Sequence, residues 1–158
     1  MKISDVKATV WEWKDIPPTR YTLNVKSNES RTTNMALVRI ITDEGIEGNA
    51  FLGNAMAPLG NSAEQIVTQY KRFLVGKDPF NREHIMQKLG TWAMGNAMPV
   101  VGAIDVALWD LAGKATRLPI HKLMGSYRNS VPAYASSAVF EAPEEYAEEA
   151  ISFKEKAF

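Results

Sequence analysis

In this chain of 158 residues, 18 Lys plus Arg balance 18 Asp plus Glu, so there is no electrostatic basis for binding nucleic acid or an anionic membrane surface. With 46% apolar residues it is long enough for one domain with a real core and too short for two full-sized ones. The absence of Cys removes disulfides, thiolate nucleophiles and Cys-ligated zinc, and is compatible with a reducing cytoplasm. Met1 to Asp5 lacks the apolar run of a signal peptide, and no later stretch has the length to span a bilayer. The expectation is a cytoplasmic protein with neither nucleic acid nor membrane as a partner.

The first elements read as strands. Ile3, Val6, Ala8, Val10, Trp11 and Trp13 are strand formers with partial alternation, and Met35 to Thr42 is a second strand. Thr42-Asp43-Glu44-Gly45 then turns the chain into a third strand near Ile46 to Phe51, with Gly45 free to take a positive φ. Between the first two strands lies a long polar segment, roughly Lys14 to Thr33, with Pro17-Pro18 inside it. A loop of that length is either a functional lid or disordered. Leu52 to Gly60 is small and flexible, and Asn61 or Ser62 caps the helix that follows, with Glu64 just inside.

Helices are expected over Ser62–Val75, Asn81–Leu89 and Met98–Arg117, with Asp78-Pro79-Phe80 breaking the first from the second. In the last of them Val101, Ile104, Leu108, Leu111 and Ala115 form one apolar stripe, and Ala107, Ala112 and Gly113 are small enough for another element to pack close. Pro119 stops that helix near Arg117 and opens a short second one, which Gly125 closes. Val131–Ser137 then reads as a strand and Pro143–Ala157 as an acidic amphipathic helix, the start of a β/α unit that cannot bury its own faces.

The segment Gly102-Ala103-Ile104-Asp105-Val106-Ala107-Leu108-Trp109-Asp110-Leu111-Ala112-Gly113-Lys114, followed by Leu118-Pro119-Ile120-His121-Lys122-Leu123-Met124-Gly125, resembles a signature of the enolase superfamily, in the mandelate racemase and muconate lactonizing enzyme branch. Thr42-Asp43-Glu44-Gly45-Ile46-Glu47-Gly48 is similar to that family's hairpin. The resemblance implies an α+β fold: a three-stranded antiparallel sheet (residues 1–51) and a helical bundle (61–125) forming a capping domain over 1–127. Residues 128–158 would then be the first β/α unit of an incomplete TIM-like barrel.

The same resemblance implies a Mg²⁺-dependent enzyme that abstracts the proton alpha to a carboxylate, a dehydratase or racemase of hydroxy or sugar acids. Cycloisomerase or epimerase is the alternative enzyme, and a binding or interaction module without catalysis is the alternative of another class. The barrel strands that carry the family's base and metal ligands find no counterpart here, so the chain alone is expected to be inactive and to bind no Mg²⁺. The implied partners are a small carboxylate substrate and either a second copy or a complementary barrel chain. The loop residues carried over for substrate binding are Arg20 and Tyr21, Asn54 and Met56, with Tyr134 and Ser136 near the end of the first barrel strand. Arg20 would pair a carboxylate and Tyr21 donate a hydrogen bond.

The residues themselves offer little else that reacts. Asp105 and Asp110 lie about 140° apart around a helix and cannot share a metal, which leaves them capping or salt bridging. Lys154-Glu155-Lys156 matches a Lys-x-Lys catalytic motif only superficially and reads as a solvated helix face. His84 and His121 sit on helices without a partnering cluster, and no glycine loop for phosphates or dinucleotides occurs.

Overall fold

The computed structural model describes residues 1–16, 31–53, 59–92, 98–137, 139–140 and 142–156. It divides into two compact units, Met1–Trp13 with Thr32–Ser126, and Lys14–Arg31 with Tyr127–Phe158.

Three strands, β1 (Ile3–Ile16), β2 (Arg31–Thr42) and β3 (Glu47–Leu52), form one sheet in the order β1-β2-β3. Alternation decides which face is buried: Ala36, Val38, Ile40 and Thr42 of β2 lie opposite Gly48, Ala50 and Leu52 of β3 on the core side. The antiparallel register pairs Ala36 with Leu52, Val38 with Ala50 and Ile40 with Gly48. Lys2 meets Asp43 and Ser4 meets Ile41, so β1 also runs antiparallel to β2. Alternation slips in β1, where Ile3 and Val6 are both buried and the Val6 N–H donates to the Asp5 carboxylate at 2.8 Å.

The expected hairpin forms. Gly45 adopts φ +78°, and buried Thr42 exchanges hydrogen bonds with Ile46 through its hydroxyl, at 2.9 and 3.1 Å. The first two strands run further than expected, β1 to Ile16 and β2 from Arg31, which shortens the long polar connection to residues 17–30.

The helices are α1 (Ser62–Gln65), a π-helical turn (Ile66–Tyr70), α2 (Lys71–Leu74), α3 (Arg82–Trp92), α4 (Met98–Thr116), α5 (Ile120–Leu123) and α6 (Pro143–Glu155). Ala63, Ile66, Tyr70 and Leu74 point into the core from the first three, which run on as one piece. Asn61 precedes α1 without a side-chain capping bond, contrary to the sequence expectation. Its backbone carbonyl, accepting from the Gln65 N–H at 3.0 Å, does the joining.

Helix α4 is the axis of the first unit. Val100, Val101, Ala103, Ile104, Ala107, Leu108 and Leu111 are buried on it. It ends as a left-handed cap at Arg117 (φ +55°), with Leu118 N–H reaching the Gly113 carbonyl at 3.1 Å. The same bond pattern closes α5, where Gly125 (φ +101°) precedes Ser126 N–H bonded to the His121 carbonyl at 2.8 Å.

In the second unit the helix of the expected β/α unit is formed, as α6. Residues 131–137 before it carry no strand ladder, which corrects the strand expected there. A strand is held by the edge it pairs with, and among the described residues no strand pairs with this segment. The start of α6 is held by Glu145 accepting from the Ala142 N–H at 3.3 Å, and by Tyr146, whose ring meets Phe140 edge-on at 5.1 Å and whose hydroxyl accepts from the Phe140 N–H at 3.0 Å.

Candidate functional site

The signature residues turn out to be fasteners. Gly48 of β3 lies so close to α4 that a Cβ there would sit 2.0 Å from the Ala107 carbonyl oxygen and 2.7 Å from the Leu111 Cβ. Asp110 accepts from the Asn49 N–H at 2.7 Å and from Lys114 Nζ at 2.6 Å, while Lys114 Nζ also donates to the Glu47 carbonyl at 2.9 Å. Asp105 pairs instead with Arg82, whose guanidinium stacks on the Trp109 ring at 4.4 Å and also contacts Glu83. The two aspartates therefore serve two different neighbours, as their separation around the helix requires.

Among the described residues no three His, Cys, Asp or Glu side chains stand together as a metal site. Exposed His84 borders a groove of about 480 Å³ with Phe80, Arg82, Trp109 and Leu123, and exposed His121 lies on α5. The Lys154, Glu155 and Lys156 side chains are all exposed at the end of α6.

The other end of the sheet has a different character. Because neighbouring strands are antiparallel, the end of β1, the start of β2 and the end of β3 share one rim. The connections 17–30 and 54–58 both leave from it. Between their roots is a hollow of about 370 Å³ lined by Glu12, Thr32, Thr33, Asn34, Leu59 and Gly60. Gly53 packs against two of these residues: it has φ +94°, and a Cβ there would come 3.0 Å from the Asn34 carbonyl oxygen and 3.4 Å from Leu59 Cδ1. Leu59 is buried and supplies the apolar floor, while the remaining side chains offer hydroxyls, a carboxamide and a carboxylate.

Of the residues expected to contact substrate, Arg20, Tyr21, Asn54 and Met56 lie outside the described residues. Tyr134 and Ser136 are exposed, with Tyr134 at 87%, and belong to the second unit. The lining of the rim hollow was not singled out from the sequence. The available signal was position alone, since Glu12, Thr32 to Asn34, Leu59 and Gly60 flank the two connections that were.

Residues 7–125 match the family described as Mandelate racemase / muconate lactonizing enzyme, N-terminal domain. The chain belongs to this family. It is 32% identical over 124 residues to a D-galactonate dehydratase family member of Pseudarthrobacter chlorophenolicus, covering 72% of this chain and 29% of that protein. It is 33% identical over 124 residues to the L-Ala-D/L-Glu epimerase of Clostridium acetobutylicum, covering 76% of this chain and 34% of that one. Among solved structures, the dipeptide epimerase from Enterococcus faecalis V583 complexed with Mg and the dipeptide L-Leu-L-Tyr superposes with TM-score 0.79 at 26% identity. That match covers 100% of this chain and 44% of the epimerase. The chain thus spans about a third of the length of these two curated relatives. Its sheet and helices are those of the enolase-type N-terminal capping domain.

Proposed function

We propose that residues 1–127 cap the active site of a Mg²⁺-dependent enolase-superfamily enzyme that removes the proton alpha to a carboxylate, and that 128–158 open its barrel. Dehydration or racemisation of a hydroxy or sugar acid is the reading favoured, and the D-galactonate dehydratase family member among the relatives supports it. The observation that carries the capping role is the shared rim. Both connections assigned to substrate recognition root around one polar hollow, at the end of the sheet away from the hairpin turn. Arg20, Tyr21, Asn54 and Met56 would act from those connections, and Tyr134 and Ser136 from the second unit.

Neither Asp105 nor Asp110 suits the magnesium ion, because each is already held by a cation of this chain. By the family resemblance, the ion and the proton-abstracting base would be supplied by the barrel strands, and this segment would contribute recognition. Alone it is expected to be inactive. The expected partners are a small carboxylate substrate and a second copy or a complementary barrel chain.

Epimerisation of a dipeptide is the second reading, favoured by the Clostridium relative and the Enterococcus structure. The test is hydrogen exchange at the α-carbon. The protein at its natural length is incubated in D₂O with aldonic acids, aldaric acids and dipeptides, with and without Mg²⁺, and followed by proton NMR. Mg²⁺-dependent loss of an α-proton signal supports the reading, and retention of every α-proton across the panel rejects it.

A further inference from the structure

We infer that the outer face of the three-stranded sheet, with Trp11, Leu37, Arg39, Glu47 and Phe51, is a self-complementary docking surface for a second copy of this chain. The inference concerns assembly, goes beyond the capping role and stands or falls without it.

Alternation defines the face. Val38, Ile40, Gly48 and Ala50 turn toward the core, so Leu37, Arg39, Glu47, Asn49 and Phe51 project from the opposite side, where the register sets Leu37 beside Phe51 and Arg39 beside Asn49. The solvent side of an antiparallel sheet is ordinarily polar. Here Phe51 is 67% exposed, and Trp11 of β1, 38% exposed, meets it edge-on with the ring centroids 6.0 Å apart. Two large rings in contact, with half-buried Leu37 next to Phe51, make a patch rather than scattered apolar residues. Aromatic side chains and arginine are also what the centres of protein interfaces concentrate.

Arg39 indicates the partner. Its Nη1 stands 3.9 Å from Glu47 Oε2, too far for a hydrogen bond, and its Nε–H is buried with no acceptor among the described residues. Buried donors are normally matched, so this guanidinium is poised for a carboxylate that it does not yet grip. Arg39 and Glu47 put a cation and a carboxylate side by side on the patch. A strongly acidic or basic partner would be drawn by one of them and repelled by the other.

A second copy turned about a two-fold axis presents the same two charges in reverse order. Arg39 of each copy then meets Glu47 of the other, while the aromatic patches close on one another. The two sheets would lie about 10 Å apart, as in a sandwich. With 18 basic and 18 acidic residues, the copies carry no net charge to hold them apart.

The experiment measures particle mass by light scattering over a concentration series, on the protein at its natural length. It compares wild type with Phe51→Glu, Arg39→Glu and Glu47→Arg, and with an equimolar mixture of the last two, circular dichroism establishing that each is folded. Phe51→Glu alters an exposed side chain, so it still decides the matter should a change at half-buried Arg39 disturb the fold. Wild type is expected to self-associate, and Phe51→Glu to raise the dissociation constant of that step by about tenfold or more, as for a residue at the centre of an interface. Arg39→Glu and Glu47→Arg each set like charges against one another across the axis. Alone they should fall to the smaller particle, and mixed they should recombine, because each supplies the charge that the other lacks.

A wild type still monomeric at roughly 100 µM, above the micromolar limit of standard-sized interfaces, overturns the inference. Self-association that none of the variants weakens runs through another surface and overturns it too. If the two charge variants dissociate but do not recombine on mixing, Arg39 and Glu47 do not meet across an axis, and the self-complementary contact is overturned. None of these outcomes bears on exchange of the α-proton, so the capping reading is tested separately.

Discussion

Gly48 and Ala107 touch backbone to backbone across the sheet and helix interface, with the position of a Cβ on Gly48 only 2.0 Å from the Ala107 carbonyl oxygen. The residue met there is main chain and cannot swing aside. Gly48→Ala should therefore force β3 and α4 apart, with a cost of about 3 kcal/mol or more, at the upper end of what overpacking does in cores. Urea unfolding followed by tryptophan fluorescence measures it. A loss below about 1 kcal/mol would show that the helix can shift without penalty.

Asp110 holds two donors from two elements, so its removal should exceed that of a surface ion pair. Asp110→Ala is expected to cost about 1.5–3 kcal/mol, the range for hydrogen bonds to a charged group, and Lys114→Met under about 1 kcal/mol, since Lys114 is half exposed. If the two variants were equally destabilised, the bond to the Asn49 N–H would carry no weight of its own.

At the end of α4 a side chain occupies a glycine conformation. Arg117 has φ +55°, and Arg117→Gly relieves that strain at the price of a freer unfolded chain. The expected net effect is a stabilisation of up to about 1 kcal/mol, read as a rise in melting temperature. A fall would mean that the arginine side chain makes a compensating contact.

The carboxyl of Asp5 is held below its ordinary value of 3.8, chiefly by the hydrogen bond from Lys71, whose Nζ lies 2.5 Å away, with burial opposing and the Val6 N–H helping. A carboxylate whose pKa is depressed by folding stabilises the fold above its ordinary value, and that stabilisation disappears as pH falls through the folded value. Wild type should therefore be more stable than Asp5→Asn at pH 7, and the two should converge as the pH falls below about 4. Thermal melts at pH 7 and pH 3 decide it, and a gap that does not narrow on acidification contradicts the assignment.

Within the second unit, residues 131–137 have no ladder to protect their amides, whereas α4 is buried along one face. Hydrogen exchange should be fast from Val131 to Ser137 and slow from Ile104 to Leu111. Slow exchange at Tyr134 to Ser137 in a demonstrated monomer would mean that this segment pairs with a strand after all.

Much of this was legible where a local rule and the global fold agree. The stripe on α4, the Gly45 turn and the Pro119 stop are each set by a few neighbouring residues, and all three form as their patterns indicate. The separation of Asp105 and Asp110 around the helix excluded a shared metal and also foretold that each would serve a different neighbour. What the chain did not disclose were features that depend on distant partners. Strand extension to Ile16 and from Arg31 depends on each strand having the other to pair with, and Val131–Ser137 has strand-forming residues but no partner strand among the described residues. Glu12 and Thr33 are unremarkable in sequence, and only antiparallel pairing brings them to one hollow.

The close contact at Gly48 and the rim at Leu52 are four residues apart on one strand, about 13 Å at the usual rise. The fastening between sheet and helix is thus insulated from the connections that leave the far rim. Loop exchange between family members can be made at the 17–30 and 54–58 connections without altering a residue of the helix seam. Selection, whether natural or in the laboratory, can in the same way retune what the rim accepts while the scaffold beneath it stays fixed.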